Sequence, residues 1–568
     1  MRSWTTISAA DQALIRAGWQ QVIFDEPLRR ERLLSLSADF PLKRLRIHIT
    51  RNQPFEFVSA VMEPFLAYAG YSAEFLYSAY DDSLAFRFTE PADIEIIWLD
   101  FHRYKALTDF GVWLGDRIIE LRSRSTAPIL VSSSPTRDQD ISRILEDIAS
   151  SIAGVYVCDQ WAIAEKLGPG YYDSRIASVT GTLLSGAACL ETARMFGLAW
   201  IPAAAGERIK AIAVDLDNTL YAGVLGEDGE HGVQLTEGHA RLQKKLLECR
   251  DRGIFLAIVS RNQVADVVRL FEKRTDFPLR FDHFSAHSIV WNSKGDGMLE
   301  IASTLGIGAD SMLFLDDNAG ELASVAADVP GVRSFHASDP VECERALAIY
   351  PGLAGRAKTH TDELRVRDLD ASRLRARIRE QAEDSQQYLR SLWVQLSFHY
   401  NPTRQIRRIH ELSIKTNQFN TAFLRLGEAE VARRINDPAC AIVTVGLQDR
   451  LTDSGIVAAI FGRWEGPCLN IEEIVISCRA LGRELETAMI GEAIHGIILR
   501  SGHVPPLVVA FTLTISERNW PARAWLERFT GTPATAEGPV HFEWTGREPG
   551  TLIQVRSVVS MQWKEHSI

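Results

Sequence analysis

The chain has 568 residues, too many for one hydrophobic core, so about three or four domains are expected. A hydrophobic fraction of 46% and a charged fraction of 24% are ordinary for a globular protein and exclude a fibrous or disordered chain. A formal net charge of -11 argues against a nucleic-acid partner. The N-terminus, MRSWTTISAADQALIRAGWQ, lacks an apolar signal core. No run of about 18 apolar residues occurs, so a cytoplasmic protein with no membrane partner is expected. The seven cysteines form no CxxC pair, which points away from a zinc site or a disulfide framework.

In chain order, the first ~40 residues read as helices with a polar face. "LRIHITRN" from Leu45 reads as a strand, then a helix from Glu56 to Ala69, then strands in "AEFLYSAY", "IEIIWLDF" and "PILVSS". Strands alternating with helices predict βαβ units and a parallel sheet over a first domain, 1–205. A second domain, 206–355, has apolar runs that end in polar residues: "AIAVDLD", "IFLAIVSRN", "LRFDHF" and "SMLFLDDN". Helices separate them at His239–Arg252 and Gln263–Lys273. Residues 362–391 are rich in charge and read as a solvated linker helix into a third domain, 356–568. There "IVTVGLQDRLTDSGIVAAIFGRW" has the texture of a hairpin around a DSG turn. "LNIEEIVIS", "PPLVVAFT" and "GTLIQVR" read as further strands, and Leu481–Leu499 as a helix.

The polar endings of the second domain form one constellation, because parallel sheets gather ligands at the carboxyl ends of their strands. Asp215 and Asp217 follow one strand, Ser260 a second, and Asp316 and Asp317 a third; Lys294 opens a helix. A carboxylate can attack phosphorus, and a second can protonate the leaving oxygen and activate water. Carboxylates can also hold Mg2+, while a hydroxyl and an ammonium neutralise phosphoryl oxygens. In this order and spacing, DLDNT, VSRN, Lys294 and LDDN resemble the four motifs of the haloacid dehalogenase (HAD) superfamily. The resemblance makes Asp215 the nucleophile and Asp217 the general acid/base. It makes Asp316, with Asp317 and the carbonyl of Asp217, the Mg2+ partners of Asp215. Thr219, Ser260, Arg261, Asn262 and Lys294 become phosphate or substrate contacts. Little sequence is available between Thr219, Ser260 and Lys294 for a cap domain, so an open site is expected.

"LDNTLYAGVLGEDG" and "LLECRDRGIFLAIVSRNQVADV" narrow the resemblance to FkbH-like proteins, with Tyr221 in place of the usual Trp. The block Lys415–Asn420 (KTNQFN), "LQDRLTDSGIV" and "VISCRALGRELE" extend it to the third domain, which resembles a GNAT acyltransferase. Glu484 stands where the GNAT pyrophosphate loop has a small residue. Cys478, between a strand and a helix with Arg479 and Arg483 nearby, is a candidate acyl-accepting thiol. His410, Asp449 and Asp453 are candidate partners for it; Asn417, Gln418, Asn420 and Arg479 are candidate substrate contacts. The first domain resembles an SGNH hydrolase of flavodoxin-like build. It has no Ser after its first strand (Thr50 stands near the turn), so a docking module is expected, with Asn52 and Asp100 lining a vestigial cleft.

The fold class expected is therefore α/β and multidomain: a capless HAD-type parallel sheet between an SGNH-like α/β domain and a GNAT-like α+β domain. The resemblance implies a glyceryltransferase and phosphatase. It would take the phosphoglyceryl group of 1,3-bisphosphoglycerate, remove the phosphate with Mg2+, and load a glyceryl unit on the phosphopantetheine thiol of a holo acyl carrier protein for polyketide-type biosynthesis. A stand-alone phosphatase of a small phosphometabolite and a non-catalytic assembly-line scaffold stay open as alternatives.

Overall fold

Three sheets organise the chain in a computed structural model that describes residues 7–104, 107–206, 208–354, 360–516, 518–545 and 557–564. The contacts divide it into two compact units, Met1–Lys358 and Thr359–Ile568. The architecture is multidomain α/β, with two parallel sheets in the first unit and a mixed sheet in the second.

The first sheet contains β1 (Lys43–Arg51), β2 (Tyr71–Tyr80), β3 (Ile94–Trp98), β4 (Ile129–Ser132) and β5 (Val155–Cys158). All are parallel, in the order β2-β1-β3-β4-β5. This is the flavodoxin-like order. β5, with the short sequence VYVC, carries too few residues to stand out in the sequence. The expected helix from Glu56 to Ala69 is two pieces, Glu56–Ser59 and Glu63–Ala69.

The second sheet contains β6 (Ala211–Val214), β7 (Phe255–Ser260), β8 (Ala286–Ile289), β9 (Met312–Asp316) and β10 (Arg333–His336). It too is parallel, in the order β10-β9-β6-β7-β8. β6, β7 and β9 are buried along their whole length, which is why each reads as a continuous apolar run. "LRFDHF" is not a strand: it forms a 3-10 turn at Phe281–His283, and the strand falls at Ala286–Ile289, where an exposed His287 breaks the apolar run.

The two parallel sheets share one hydrophobic core. The helix Ala9–Ile23 packs on the helix Ala319–Asp328. Phe24 meets Phe335 edge-on, and Gln20 Oε1 accepts from His336 N at 3.0 Å. The first ~40 residues therefore brace the second sheet as well as the first.

One polar pair lies inside the first sheet. His48 Nδ1 sits 3.4 Å from Glu95 Oε1, both almost fully buried. Burial lowers the pKa of His48 and raises that of Glu95 to about 7, so near neutral pH they meet without a full ion pair. A carboxyl raised from 4.5 binds its proton more tightly in the folded state. Its stabilisation is complete below pH 4.5 and is lost as pH climbs through 7. Glu95→Gln is expected to remove this loss, raising the stability of the first unit at pH 8 by up to about 3 kcal/mol. Urea unfolding of both proteins between pH 5 and 8 checks it; parallel pH dependences would refute it.

The second unit is built on β11 (Gln395–Tyr400), β12 (Cys440–Gln448), β13 (Asp453–Glu465), β14 (Cys468–Ile476), β15 (Leu507–Leu513), β16 (Gly538–Trp544) and β17 (Ser560–Trp563). The order is β16-β15-β14-β13-β12-β11-β17; β14–β15 and β11–β17 are parallel pairs and the rest antiparallel. The hairpin turn is Asp449–Thr452, with Asp449 Oδ1 accepting from Leu451 N and Thr452 N, while Asp453-Ser454-Gly455 open β13. "GTLIQVR" lies outside the described residues.

β14 and β15 pair only over Leu469–Ile471 and Val509–Phe511. Where they diverge, the chain's own segment fills the wedge. Ile476 N donates to Phe419 O and Thr421 N to Ile474 O, while Thr514 N donates to Thr421 O.

The charged stretch expected to be a solvated linker is the helix His360–Gln381 of the second unit, and part of it is buried. Its Arg375 donates to Asp449 Oδ2 at 2.7 Å and to Asp368 Oδ1 at 3.1 Å. Arg483 donates to Asp368 Oδ1 at 3.1 Å and to Asp449 Oδ2 at 3.3 Å, and Ser454 Oγ donates to Asp368 Oδ1. All four ionic side chains are at most 7% exposed.

Candidate active site

Asp215 follows β6, and its N–H still donates to Leu315 O of β9, so the ladder fixes its backbone. Ser260 ends β7 and Asp316 ends β9. Lys294 is the first residue of the helix Lys294–Leu305, whose N-cap Ser293 accepts from Gly295 N. A Cβ on Gly295 would lie 2.8 Å from Asp328, so the start of this helix has no room for a larger residue.

These elements bring one ammonium against a group of carboxylates. Lys294 Nζ lies 2.6 Å from Asp316 Oδ2 and 3.1 Å from Asp215 Oδ2, all three buried. Burial works against the Lys294 charge, but Asp215 and Asp316 outweigh it and raise its pKa. Burial, then repulsion by Asp215, raises Asp316 to about 7 and also raises Asp317. Asp215, Asp316 and Asp317 offer oxygens within 4.8 Å of one another, and Asp215 Oδ1 is buried with no hydrogen-bond partner among the described residues. Three carboxylates facing one ammonium, with an open oxygen among them, fit a hard divalent cation such as Mg2+.

Asp217 stands apart from that group. Its Oδ1 accepts from the Tyr221 hydroxyl at 2.8 Å and from Leu225 N at 2.9 Å; its Oδ2 accepts from Asn262 Nδ2 at 2.9 Å. Its carboxylate is not among the oxygens gathered by Asp215, Asp316 and Asp317. Asn262 also donates to Ser260 Oγ at 3.2 Å, tying the second strand to the first. Tyr221, read from sequence only as a departure from Trp, is fully buried and aims its hydroxyl back four residues at Asp217. Burial, then Asp217, raises its pKa, so it is a permanent donor. The turn that returns it has Asn218 at φ +54° and Gly223 at φ +108°.

Two predicted contacts do other work. Thr219 is fully buried, and its hydroxyl accepts from Asp317 N at 3.2 Å, which positions the Asp317 backbone. Arg261 is exposed and paired with Glu321 at 2.8 Å. Only the segment 220–235, closed by an antiparallel bridge between Ala222 and Gln234, and the helix Glu237–Asp251 lie between Thr219 and β7. No cap domain is inserted there.

In the second unit the predicted residues do not converge. Cys478 is exposed, and its thiol has no hydrogen-bond or ion-pair partner among the described residues. The helix expected to begin at Leu481 begins at Glu486, eight residues beyond Cys478, so its N-terminus does not act on the thiol. Arg483 is committed to Asp368 and Asp449. His410 Nδ1 pairs with Leu426 O, Asp449 with Arg375, and Asp453 Oδ1 accepts from Gly455 N. Glu484, at φ +61°, pairs with Arg379.

KTNQFN is the wedge segment rather than an open binding loop. Asn420 is fully buried; its Oδ1 accepts from Ala422 N and Phe423 N, and its Nδ2 donates to Thr416 O. Asn417 Oδ1 accepts from Arg425, and Gln418 is exposed. Arg479 lines a polar cleft of about 420 Å³ with Arg408, His399 and Lys564. In the first unit, Thr50 is buried within β1. Asn52 is buried too, its Oδ1 accepting from Asp100 N at 2.7 Å, and only Asp100 reaches a cleft.

No family model matches the chain, and no curated protein matches it. Among solved structures it is similar to the N-terminal part of the protein BF1531 from Bacteroides fragilis, containing a phosphatase domain and complexed with Mg. The identity is 22% over 61% of this chain and 100% of that one, with a TM-score of 0.45. A GCN5-related glucosamine N-acetyltransferase region of a fungal multidomain GH3 β-N-acetylglucosaminidase is similar at 9% identity, covering 92% of this chain and 67% of that one, with a TM-score of 0.18. No helix among the described residues is long and apolar enough to cross a membrane.

Proposed function

We propose that the chain is a Mg2+-dependent phosphatase that works through an aspartyl-phosphate on Asp215. The observation that carries this reading is the division of labour between two carboxylates: Asp215 beside Lys294, and Asp217 held apart by three donors. Asp215 attacks phosphorus, and the P–O bond to the leaving group breaks. Asp217, protonated, gives its proton to the departing oxygen, then takes a proton from water as that water attacks the phosphoryl group. Inorganic phosphate leaves and Asp215 is free again. Lys294 offsets charge on the phosphoryl oxygens throughout. Asp215, Asp316, Asp317 and the Asp217 carbonyl would hold Mg2+, which would supply charge neutralisation between the nucleophile and an anionic substrate.

The substrate we propose is the phosphoglyceryl unit of 1,3-bisphosphoglycerate. A thiol displaces its acyl phosphate to give a thioester, and the remaining phosphate is hydrolysed at Asp215. The glyceryl group ends on the phosphopantetheine thiol of a holo acyl carrier protein. The capless site, which admits a phosphate on a bulky carrier, and the exposed Cys478 support this finer reading.

Two measurements test the proposal separately. Phosphate release from p-nitrophenyl phosphate should be lost on chelation and restored by Mg2+; no release sinks the phosphatase. With 1,3-bisphosphoglycerate and holo carrier, the intact mass of the carrier should rise by one glyceryl group; release without that adduct sinks only the glyceryl transfer. Tyr221→Phe should lower kcat about 10-fold at unchanged KM, because it removes one donor to a charged group. An unchanged kcat would remove Tyr221 from this role.

A further inference from the structure

The first sheet has a cleft of its own, of about 190 Å³, at the carboxyl ends of its strands. Trp98 and Asp100 line it at the end of β3, Ser132–Ser134 at the end of β4 and Gln160 after β5, together with Tyr171 and Tyr172. Open parallel sheets bind ligands at this edge.

Gln160 is 1% exposed, and its two amide atoms are treated differently. Oε1 accepts from the hydroxyls of Tyr171 at 3.4 Å and Thr192 at 3.2 Å. Nε2 has no hydrogen-bond partner among the described residues. Ser133 Oγ accepts from Gln160 N at 2.9 Å, which fixes the backbone beneath the side chain. A buried donor left without an acceptor is costly, and an acceptor from outside the chain would remove that cost.

The lining sets the class of that ligand. Among the described residues the lining holds no Lys or Arg, and apart from tyrosines its ionisable side chains are Asp100 and His102. None of these described side chains is a fixed cation that would draw a phosphate, in contrast to Lys294 beside Asp215. The serine hydroxyls and the Asp100 carboxylate accept from hydroxyl groups, while Trp98 and Tyr171 offer flat apolar walls. The volume is below the roughly 300–1,000 Å³ of a drug-sized ligand site. Ser133 Oγ donates to Ser134 O at 3.4 Å and accepts from Gln160 N at 2.9 Å, so this hydroxyl is engaged by backbone groups.

We propose that this cleft binds a neutral, hydroxyl-rich small molecule no larger than one sugar ring, one of whose oxygens accepts from Gln160 Nε2 while a hydroxyl donates to Asp100. The site is independent of the phosphatase reading. Saturation-transfer NMR on the full chain, with glycerol and D-glucose as probes and inorganic phosphate as competitor, tests it. At least one polyol should receive saturation, phosphate should not displace it, and Gln160→Leu and Asp100→Ala should each weaken it about tenfold. Phosphate release from p-nitrophenyl phosphate should be unchanged in both variants. If Gln160→Leu fails to fold, Asp100→Ala, on the half-buried rim, decides. No saturation of either polyol, displacement by phosphate, or binding that survives the folded variants overturns the proposal.

Discussion

Asp217→Asn should stall with phosphate bound to the protein, whereas Asp215→Asn should never bind it. Both should lose steady turnover by at least about 10³-fold, as catalytic groups that act as a unit do. The difference between them is the informative result. p-Nitrophenolate leaves without needing a proton, so the first half of the reaction can proceed in Asp217→Asn. The second half requires a base to take a proton from water, and the amide cannot supply one. The variant should release a stoichiometric burst of nitrophenolate, then stop, and its intact mass should carry one added phosphoryl group. The substitution is nearly isosteric, and the donors from Tyr221 and Leu225 still meet an oxygen. Only the contact with Asn262 Nδ2 becomes donor against donor, which a flip of the Asn262 amide relieves at the expense of its bond to Ser260. Asp215→Asn should show no burst and no adduct. A phosphoryl group mapped to another residue, or an unimpaired Asp217→Asn, would refute the division of labour.

The contrast between the two units also explains what could be read in the sequence. Asp215, Ser260 and Asp316 were legible because each ends a fully buried strand, so an apolar run points at it. β8 and β10 were not legible as such, being short and partly polar. Tyr221 escaped because its role depends on a turn with two positive φ angles that returns a hydroxyl to Asp217. In the third domain the polar residues singled out in the sequence have partners within the chain, for a single physical reason. Asn417, Asn420 and Arg483 are polar residues in a motif-like block, the pattern a binding loop would also give. Asn417 pairs with Arg425, Asn420 with backbone groups of its own loop, and Arg483 with acids far along the chain. A buried hydrogen-bonding demand and a ligand ask for the same residue types, and sequence alone does not separate them.

Asp449→Ala should destabilise the second unit more than any other single change in its polar interior. Asp449 Oδ2 is shared by Arg375 and Arg483, and Oδ1 holds the Asp449–Thr452 turn through Leu451 N and Thr452 N. With the carboxylate gone, two buried guanidinium groups face Asp368 alone, and one positive charge is left uncompensated. Burial already lowers the pKa of Arg483, which marks how little water reaches this point. Removing one partner from such a network costs about 3–5 kcal/mol. Because the chain has two units, hydrogen exchange resolved to β12 and β13 is a better reading than a global unfolding curve. Protection there should fall by about 10²–10³-fold, with β6 and β9 unchanged. Arg375→Met is the informative companion. It removes one cation and leaves Asp368, Asp449 and Arg483, so it too should weaken β12 and β13. Arg375→Met combined with Asp449→Leu restores neutrality with apolar volume and should recover much of the loss, since a buried ion pair adds little over a packed hydrophobic pair. Full protection of β12 in Asp449→Ala would mean that the helix His360–Gln381 is held by packing and not by these charges.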